Sequence, residues 1–154
     1  METIIRNSNE MDTFAARQLA VILEKRKSAP NASAMVVGLS GGLGAGKTTF
    51  VQALARALLI EESVTSPTFV IARFYPVQKL ESLTRLVHID AYRIEDESEL
   101  GPIRFDEILG ESKNLVVVEW PEKIAARFPD TATRLYFEVL DETTRIIKEK
   151  PGIE

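Results

Sequence analysis

One glycine-rich segment constrains the fold of this chain more than any other stretch. Residues Gly41 to Thr48 read G-G-L-G-A-G-K-T and match the pattern G-x-x-x-x-G-K-[S/T] at every fixed position. Glycines let the backbone curl so that successive N–H groups point inward at phosphate oxygens. The lysine, here Lys47, then reaches the outer phosphates, and the hydroxyl of Thr48 can bind Mg²⁺. The segment therefore predicts a phosphate-binding loop.

The flanks of this loop have the pattern that such a motif requires. Residues 34–39 form a short apolar run between polar residues and glycines, which is typical of a buried parallel strand. After the loop, apolar residues recur at helical spacing: Phe50, Val51, Leu54, Ala55, Leu58 and Leu59. The loop is thus predicted to join a strand to a helix N-terminus, where free N–H groups and the helix dipole favour an anion.

The rest of the chain predicts alternating strands and helices. We expect a first amphipathic helix at about 10–26 with Asn9 as its N-cap. Apolar and β-branched runs predict further elements: strands at 68–75 and 85–89, paired antiparallel, two short helical turns within 95–110, a strand at 115–119, a short helix from Pro121, and a closing hairpin of 135–140 with 145–148. These elements predict an α/β fold, a P-loop NTPase-like central mixed sheet with flanking helices.

Length and composition narrow the function classes. The 154 residues suggest one domain over 1–154, with a disordered tail at 150–154. Because there is no cysteine, disulfides, thiol catalysis and zinc–thiolate sites are excluded. The polar N-terminus is not a signal peptide, and no apolar run is long enough to span a bilayer. With a net charge of −4 and no basic stripe, any link to RNA should run through a partner.

Two acidic residues are candidate ligands for a cation beside the loop. Glu119 ends the apolar strand 115–119, and Asp90 follows the strand 85–89. Ligands of open α/β sheets bind at the carboxyl ends of the strands, so both side chains can reach the same edge. The functional interpretation is favoured for Glu119, whereas a solvent-exposed strand end is equally compatible with Asp90.

Other residues near this edge leave alternatives open. Val64 to Phe69 fits an ordinary turn, or a segment that senses the γ-phosphate through Ser66 or Thr68. His88 is the only histidine, and a lone histidine on a strand is more often packed or hydrogen-bonded than catalytic. Trp120 fits either the core or an aromatic wall beside the site.

Four segments together resemble a known family. G-x-x-x-x-G-K-T at 41–48, S-P-T-F at 66–69, H-x-D-x-Y-R at 88–93 and V-E-W-P at 118–121 occur in the order and at the approximate spacing of bacterial TsaE. The loop alone is generic, but its combination with the other three motifs is highly specific. The resemblance covers residues 8–145, nearly the whole chain.

The resemblance implies a cytoplasmic, Mg²⁺-dependent ATPase of tRNA threonylcarbamoyladenosine biosynthesis. Proteins of this family act with TsaD and TsaB, which install the threonylcarbamoyl group on the adenosine beside the anticodon of certain tRNAs. The resemblance implies that ATP hydrolysis supports turnover of that complex and that hydrolysis is weak without the partners. It also implies that the chain contacts tRNA only through them.

Site residues carry over by position. The resemblance implies catalytic roles for Lys47, Thr48, Asp90 and Glu119, with Thr48, Glu119 and Asp90 serving the metal. It further implies a set of ATP contacts: Thr13 near the base, Leu43, Gly44, Ala45, Gly46, Lys47, Thr48 and Thr49 around the phosphates, Ser66 and Thr68 in the switch segment, and Arg145 late in the chain.

The chain departs from the family pattern in three places. Gly42 stands where the family usually has an acid, Arg104 stands near a usual glycine, and the loop before the first strand is somewhat long. If the missing acid polarises water, hydrolysis here is weaker or uses another group.

Three other function classes use a related nucleotide-binding loop. A small-molecule kinase shares the loop, but no arginine-bearing lid insertion is visible in the sequence. A nucleotide-sensing adaptor that does not hydrolyse gains support from Gly42. A GTPase is disfavoured because no N-K-x-D segment is present.

Overall fold

The computed structural model describes residues 1–65 and 71–152. Within these residues the strands and helices follow one another along the chain: β1 (Glu2–Ile5), α1 (Ser8–Ser28), β2 (Met35–Gly41), α2 (Lys47–Ala57), β3 (Ala72–Pro76), β4 (Arg85–Asp90), a 3₁₀ helix (Glu97–Leu100), α3 (Phe105–Gly110), β5 (Asn114–Glu119), a second 3₁₀ helix (Pro121–Ile124), β6 (Thr133–Val139) and β7 (Arg145–Lys150).

The strands form one mixed sheet in the order β1-β7-β6-β2-β5-β4-β3. Its centre is parallel, because β2 pairs with both β5 and β6, and β5 pairs with β4, in the same direction. The outer pairs β3–β4, β6–β7 and β1–β7 are antiparallel. The predicted mixed sheet, the β3–β4 pairing and the closing β6–β7 hairpin are all confirmed.

Helices cover both faces of the sheet, and alternate residues of the central strands face opposite layers. On β5, Leu115 and Val117 belong to the core under α1 and α2, whereas Val116 and Val118 belong to the core beneath α3. All six residues of β5 are buried, as expected for a central parallel strand. By this alternation Glu119 lies on the α2 side, together with the phosphate-binding loop.

The start of α1 differs from the prediction. The N-cap is Asn7 and not Asn9, since the Asn7 side chain accepts a hydrogen bond from the Glu10 amide at 2.9 Å. The Glu10 carboxylate in turn accepts from the Arg6 amide at 2.7 Å. Two asparagines compete for this position in the sequence, and the extended backbone at Asn7, enforced by the end of β1, decides between them.

Strand β1 was not predicted from the sequence. Its four residues show no apolar alternation, and the strand forms because it pairs with β7 at the edge of the sheet, with Ile5 opposite Arg145. Lys150, which the predicted disordered tail included, ends β7. Of the strand predicted at 68–75, the structure describes residues 71–75. Within them β3 begins at Ala72.

Two helical predictions are confirmed by the structure. Both short helical segments expected within 95–110 form, one on each side of Gly101-Pro102, and Pro121 begins a short helix. Among the described residues, no helix combines the length and the apolar character needed to cross a membrane.

Candidate nucleotide-binding site

The glycine-rich loop runs from the end of β2 to the first turn of α2. Gly41, Gly44 and Gly46 have positive φ angles of 147°, 75° and 104°, which side chains larger than glycine rarely adopt. A Cβ atom at Gly41 would also lie 2.6 Å from the carbonyl oxygen of Phe137. Gly46 is the N-cap of α2 and offers no side-chain hydrogen bond, and a helix N-terminus of this kind favours an anion.

Lys47 lies in the first turn of α2 and is only 5% exposed. Its ammonium group donates to the carbonyl oxygens of Gly41 and, at 2.9 Å, of Gly42, and it lies 4.2 Å from the centre of the Trp120 ring. Burial lowers the pKa of Lys47, while the nearby carboxylates of Glu119, Asp90 and Glu122 act in the opposite direction. The lysine thus points into the curl of the loop, where phosphates are expected.

Glu119 brings the end of β5 into contact with the loop helix. The Thr48 hydroxyl lies 3.3 and 3.2 Å from the two carboxylate oxygens of Glu119. Nε2 of His88, on the neighbouring strand β4, lies 2.6 Å from Oε2 of the same carboxylate. A strand-end acid and a helix hydroxyl therefore meet, as the sequence predicts.

Asp90 lies directly beside Glu119 in the register of β4 and β5. Its carboxylate accepts a hydrogen bond from the Tyr92 amide at 3.0 Å. Burial raises the pKa of Asp90, the Tyr92 amide opposes this shift, and the charge of Glu119 adds to it. Two carboxylates this close repel one another, and a cation between them would relieve the repulsion.

The donors at this edge fit a magnesium ion. Thr48, Glu119 and Asp90 offer hard oxygen atoms, which Mg²⁺ prefers. Across residues 1–65 and 71–152, no cluster of three or more histidine, cysteine or acidic residues could hold a metal by itself. Mg²⁺ usually keeps several waters and binds through one or two protein groups together with substrate phosphates.

The loop and the strand ends border a cleft of about 440 Å³, which is within the usual range for small-molecule sites. The cleft brings together most residues named from the sequence: Leu43, Gly44, Ala45, Gly46, Lys47, Thr48, Thr49, Asp90, Glu119 and Arg145. Arg145 reaches it from β7 and donates to the Gly44 carbonyl oxygen at 3.3 Å.

Among the predicted contacts that the structure describes, Thr13 does not line this cleft. It follows Met11 by two residues on α1, its hydroxyl donates to the Asn9 carbonyl oxygen at 3.0 Å, and it borders a separate groove. Ser66 and Thr68 lie outside the described residues, so their contacts stay predictions.

Sequence reasoning missed part of the lining: Ile5, Asn7, Ser8, Met11, Tyr92 and Thr143. The residues at the start of α1 carry no motif, and only the β1–β7 pairing brings them beside the loop. Tyr92 had a usable signal, because it follows Asp90 by two positions. Trp120, left open between core and wall, lines the cleft and packs against Tyr92 with ring centres 5.1 Å apart.

The strand–loop–helix unit, its buried lysine and the acid at the neighbouring strand end define the class. The molecule is an α/β protein of the P-loop nucleotide-binding class.

Comparison with known proteins identifies the family. A family model described as "Threonylcarbamoyl adenosine biosynthesis protein TsaE" matches residues 5–147, so the chain belongs to the TsaE family. A protein named tRNA threonylcarbamoyladenosine biosynthesis protein TsaE from Aquifex aeolicus is 34% identical over 150 residues, covering 96% of this chain and 95% of the relative. A protein of the same name from Bacillus subtilis is 36% identical over 112 residues, covering 73% of this chain and 66% of the relative.

A solved structure supports the fold. The crystal structure of YdiB from Bacillus subtilis superposes with a TM-score of 0.68 at 24% sequence identity, covering 99% of this chain and 86% of that one. The resemblance predicted from four motifs is confirmed, and the chain is a protein of tRNA threonylcarbamoyladenosine biosynthesis whose family implies nucleotide binding.

Proposed function

We propose that this chain is a single-domain, Mg²⁺-dependent ATPase of the cytoplasm whose ATP cycle supports a TsaD–TsaB complex, and that it meets tRNA only through those partners. One observation carries the ATPase proposal: Thr48 and Glu119 converge, at 3.2 Å, at the N-terminus of α2, which no side chain caps. A hydroxyl, an acid and an anion site at one point are the parts that phosphoryl transfer from a nucleotide needs.

The loop would hold the phosphates without large rearrangement of its backbone. Backbone amides from Leu43 to Thr49 would donate to phosphate oxygens, because the glycine conformations already curl the chain. Lys47 would exchange its bonds to the Gly41 and Gly42 carbonyl oxygens for bonds to the outer phosphates.

The carboxylates would hold the cation. Thr48 and Glu119 would be its protein ligands, and Asp90 would accept hydrogen bonds from its water ligands. Mg²⁺, when bound, neutralises charge that develops on the β- and γ-phosphate oxygens.

The most direct test measures ATP binding and hydrolysis by the purified chain, with and without the TsaD–TsaB pair. We expect Mg²⁺-dependent binding alone, slow hydrolysis alone and faster hydrolysis with the pair. A chain that binds no ATP with Mg²⁺ present would rule out the proposal.

A non-hydrolysing nucleotide sensor is the second candidate, and Gly42 favours it. Gly42 stands where the family usually has an acid, and glycine has no side chain that could polarise water. ATP binding without hydrolysis in the presence of both partners would select this alternative.

A further inference from the structure

His88 is a buried polar residue that the proposed chemistry does not use directly. It is the chain's only histidine, and its side chain is 0% exposed on the central strand β4. Nε2 lies 2.6 Å from Oε2 of Glu119, which is itself almost wholly buried. Nδ1 has no hydrogen-bond partner within the described part of the chain.

The direction of the hydrogen bond follows from the chemistry of its partner. A carboxylate oxygen accepts hydrogen bonds, so Nε2 of His88 donates to Glu119. Nδ1 then has no hydrogen-bond partner within residues 1–65 and 71–152. A buried polar ring is costly unless it is hydrogen-bonded, and the bond to Glu119 offsets part of that cost.

The geometry connects His88 to Glu119. The carboxylate ends a long flexible side chain, and it has two hydrogen-bonding contacts among the described residues: the Thr48 hydroxyl and His88. The Thr48 hydroxyl would bind a cation through an oxygen lone pair and could still donate its hydrogen to Glu119. The contact from His88 is the shorter of the two, at 2.6 Å, and it comes from a fully buried ring on the neighbouring strand.

We propose that His88 is a positioning residue, whose Nε2–H holds the Glu119 carboxylate so that its free oxygen faces Thr48 and the divalent cation. This rests on the proposed function, since it assigns Glu119 to the metal. Groups that orient a metal ligand typically contribute about 10- to 100-fold to metal affinity.

The test compares His88→Leu with His88→Gln. Leucine fills the buried space but cannot donate, whereas the glutamine amide nitrogen can replace Nε2. The readouts are ATP affinity in EDTA, the gain in ATP affinity on adding Mg²⁺, Mn²⁺ binding to the protein–ATP complex by electron paramagnetic resonance, and the melting temperature.

His88→Leu should lower Mn²⁺ affinity and the Mg²⁺-dependent gain by about 10- to 100-fold. Its ATP affinity in EDTA should stay within about twofold of the original, because no phosphate contact is removed. His88→Gln should recover most of the metal affinity. In a Glu119→Ala background, His88→Leu should cause no further loss, since the two residues act as one unit.

Distinct results would overturn this inference and the proposed function. If Glu119→Ala loses the Mg²⁺-dependent gain but His88→Leu keeps it, the positioning role alone is wrong. The same holds if His88→Leu weakens metal-free ATP binding as much as metal binding, which is the mark of a purely structural role. Should His88→Leu not fold, a folded His88→Gln without metal affinity would be equally decisive against it. If the unmodified chain shows no gain in ATP affinity on adding Mg²⁺, both the positioning role and the proposed function are wrong.

Discussion

Two walls of the nucleotide cleft are built in different ways. The phosphate wall is one continuous segment, Gly41 to Thr48, which combines glycine conformations with a helix N-terminus. The second wall combines residues from both ends of the chain: Met11 on α1 and Arg145 on β7 line the cleft beside Gly46. The local conformation of the loop should therefore determine phosphate affinity, whereas affinity for the rest of the nucleotide depends on the packing of β1, α1 and β7.

Lys47→Ala should have the largest effect on phosphate binding. Two or more charge-assisted hydrogen bonds to phosphate would be lost, each contributing about 1.5–3 kcal/mol, so ATP affinity should fall at least 100-fold. Isothermal titration calorimetry with MgATP measures this loss. Inorganic triphosphate should lose affinity to the same extent, and a variant that still binds it normally would contradict the assignment of the loop.

Glu119→Gln should separate hydrolysis from binding. The amide keeps the size of the side chain but loses the charge that favours a cation, so hydrolysis should fall about 100-fold, as expected when a metal ligand is impaired. ATP affinity in EDTA should change little. Steady-state phosphate release with the TsaD–TsaB pair, together with calorimetry in EDTA, measures both quantities. Equal losses in the hydrolysis rate and in ATP affinity in EDTA would count against Glu119 as a metal ligand.

Gly42→Asp should raise the hydrolysis rate. A Cβ atom at Gly42 meets nothing within 4 Å, so an aspartate fits without displacing a neighbour. We expect a gain of about tenfold, below the 100-fold or more that a well-placed general base contributes. Gly42→Asn is the matched control, because it has the same shape without a base. If both variants hydrolyse ATP at the original rate, an acid here is not what limits hydrolysis.

Arg145→Ala tests the second wall of the cleft. The guanidinium group lines the cleft and donates to the Gly44 carbonyl oxygen, and a base stacked on it would contribute about 1 kcal/mol. ATP affinity should fall about fivefold, while affinity for inorganic triphosphate stays the same. A parallel loss for both ligands would show that Arg145 acts on the phosphates and would remove the distinction between the two walls.

Thr13→Ala should have the smallest effect. The Thr13 side chain is exposed and its hydroxyl bonds to the preceding turn of its own helix. ATP affinity should change by less than about twofold, the range of a surface substitution away from the site. Met11→Ala is the informative comparison, because Met11 lines the cleft one half-turn earlier on the same helix. A larger loss for Thr13→Ala than for Met11→Ala would restore the original prediction.

Predictions from sequence were strongest where local chemistry dictates the outcome. The loop, the strand before it, the helix after it and the acid at the end of β5 all follow from glycine conformation, hydrophobic runs and strand polarity. The N-cap of α1 was wrong by two residues because two asparagines offered the same local signal. The strand β1 was missed because its four residues form a strand only through their partner.

The order of residues in this chain is sufficient to specify a phosphate-binding loop, since the conformations it needs are available only to glycine and its lysine and threonine follow within two positions. The same order specifies which strands end in acids. Arrangements of distant segments required the folded molecule: His88 in contact with Glu119, Met11 and Arg145 lining one cleft, and Thr13 bordering a separate groove. Sheet register and helix rotation set these arrangements, and both result from packing of the whole core.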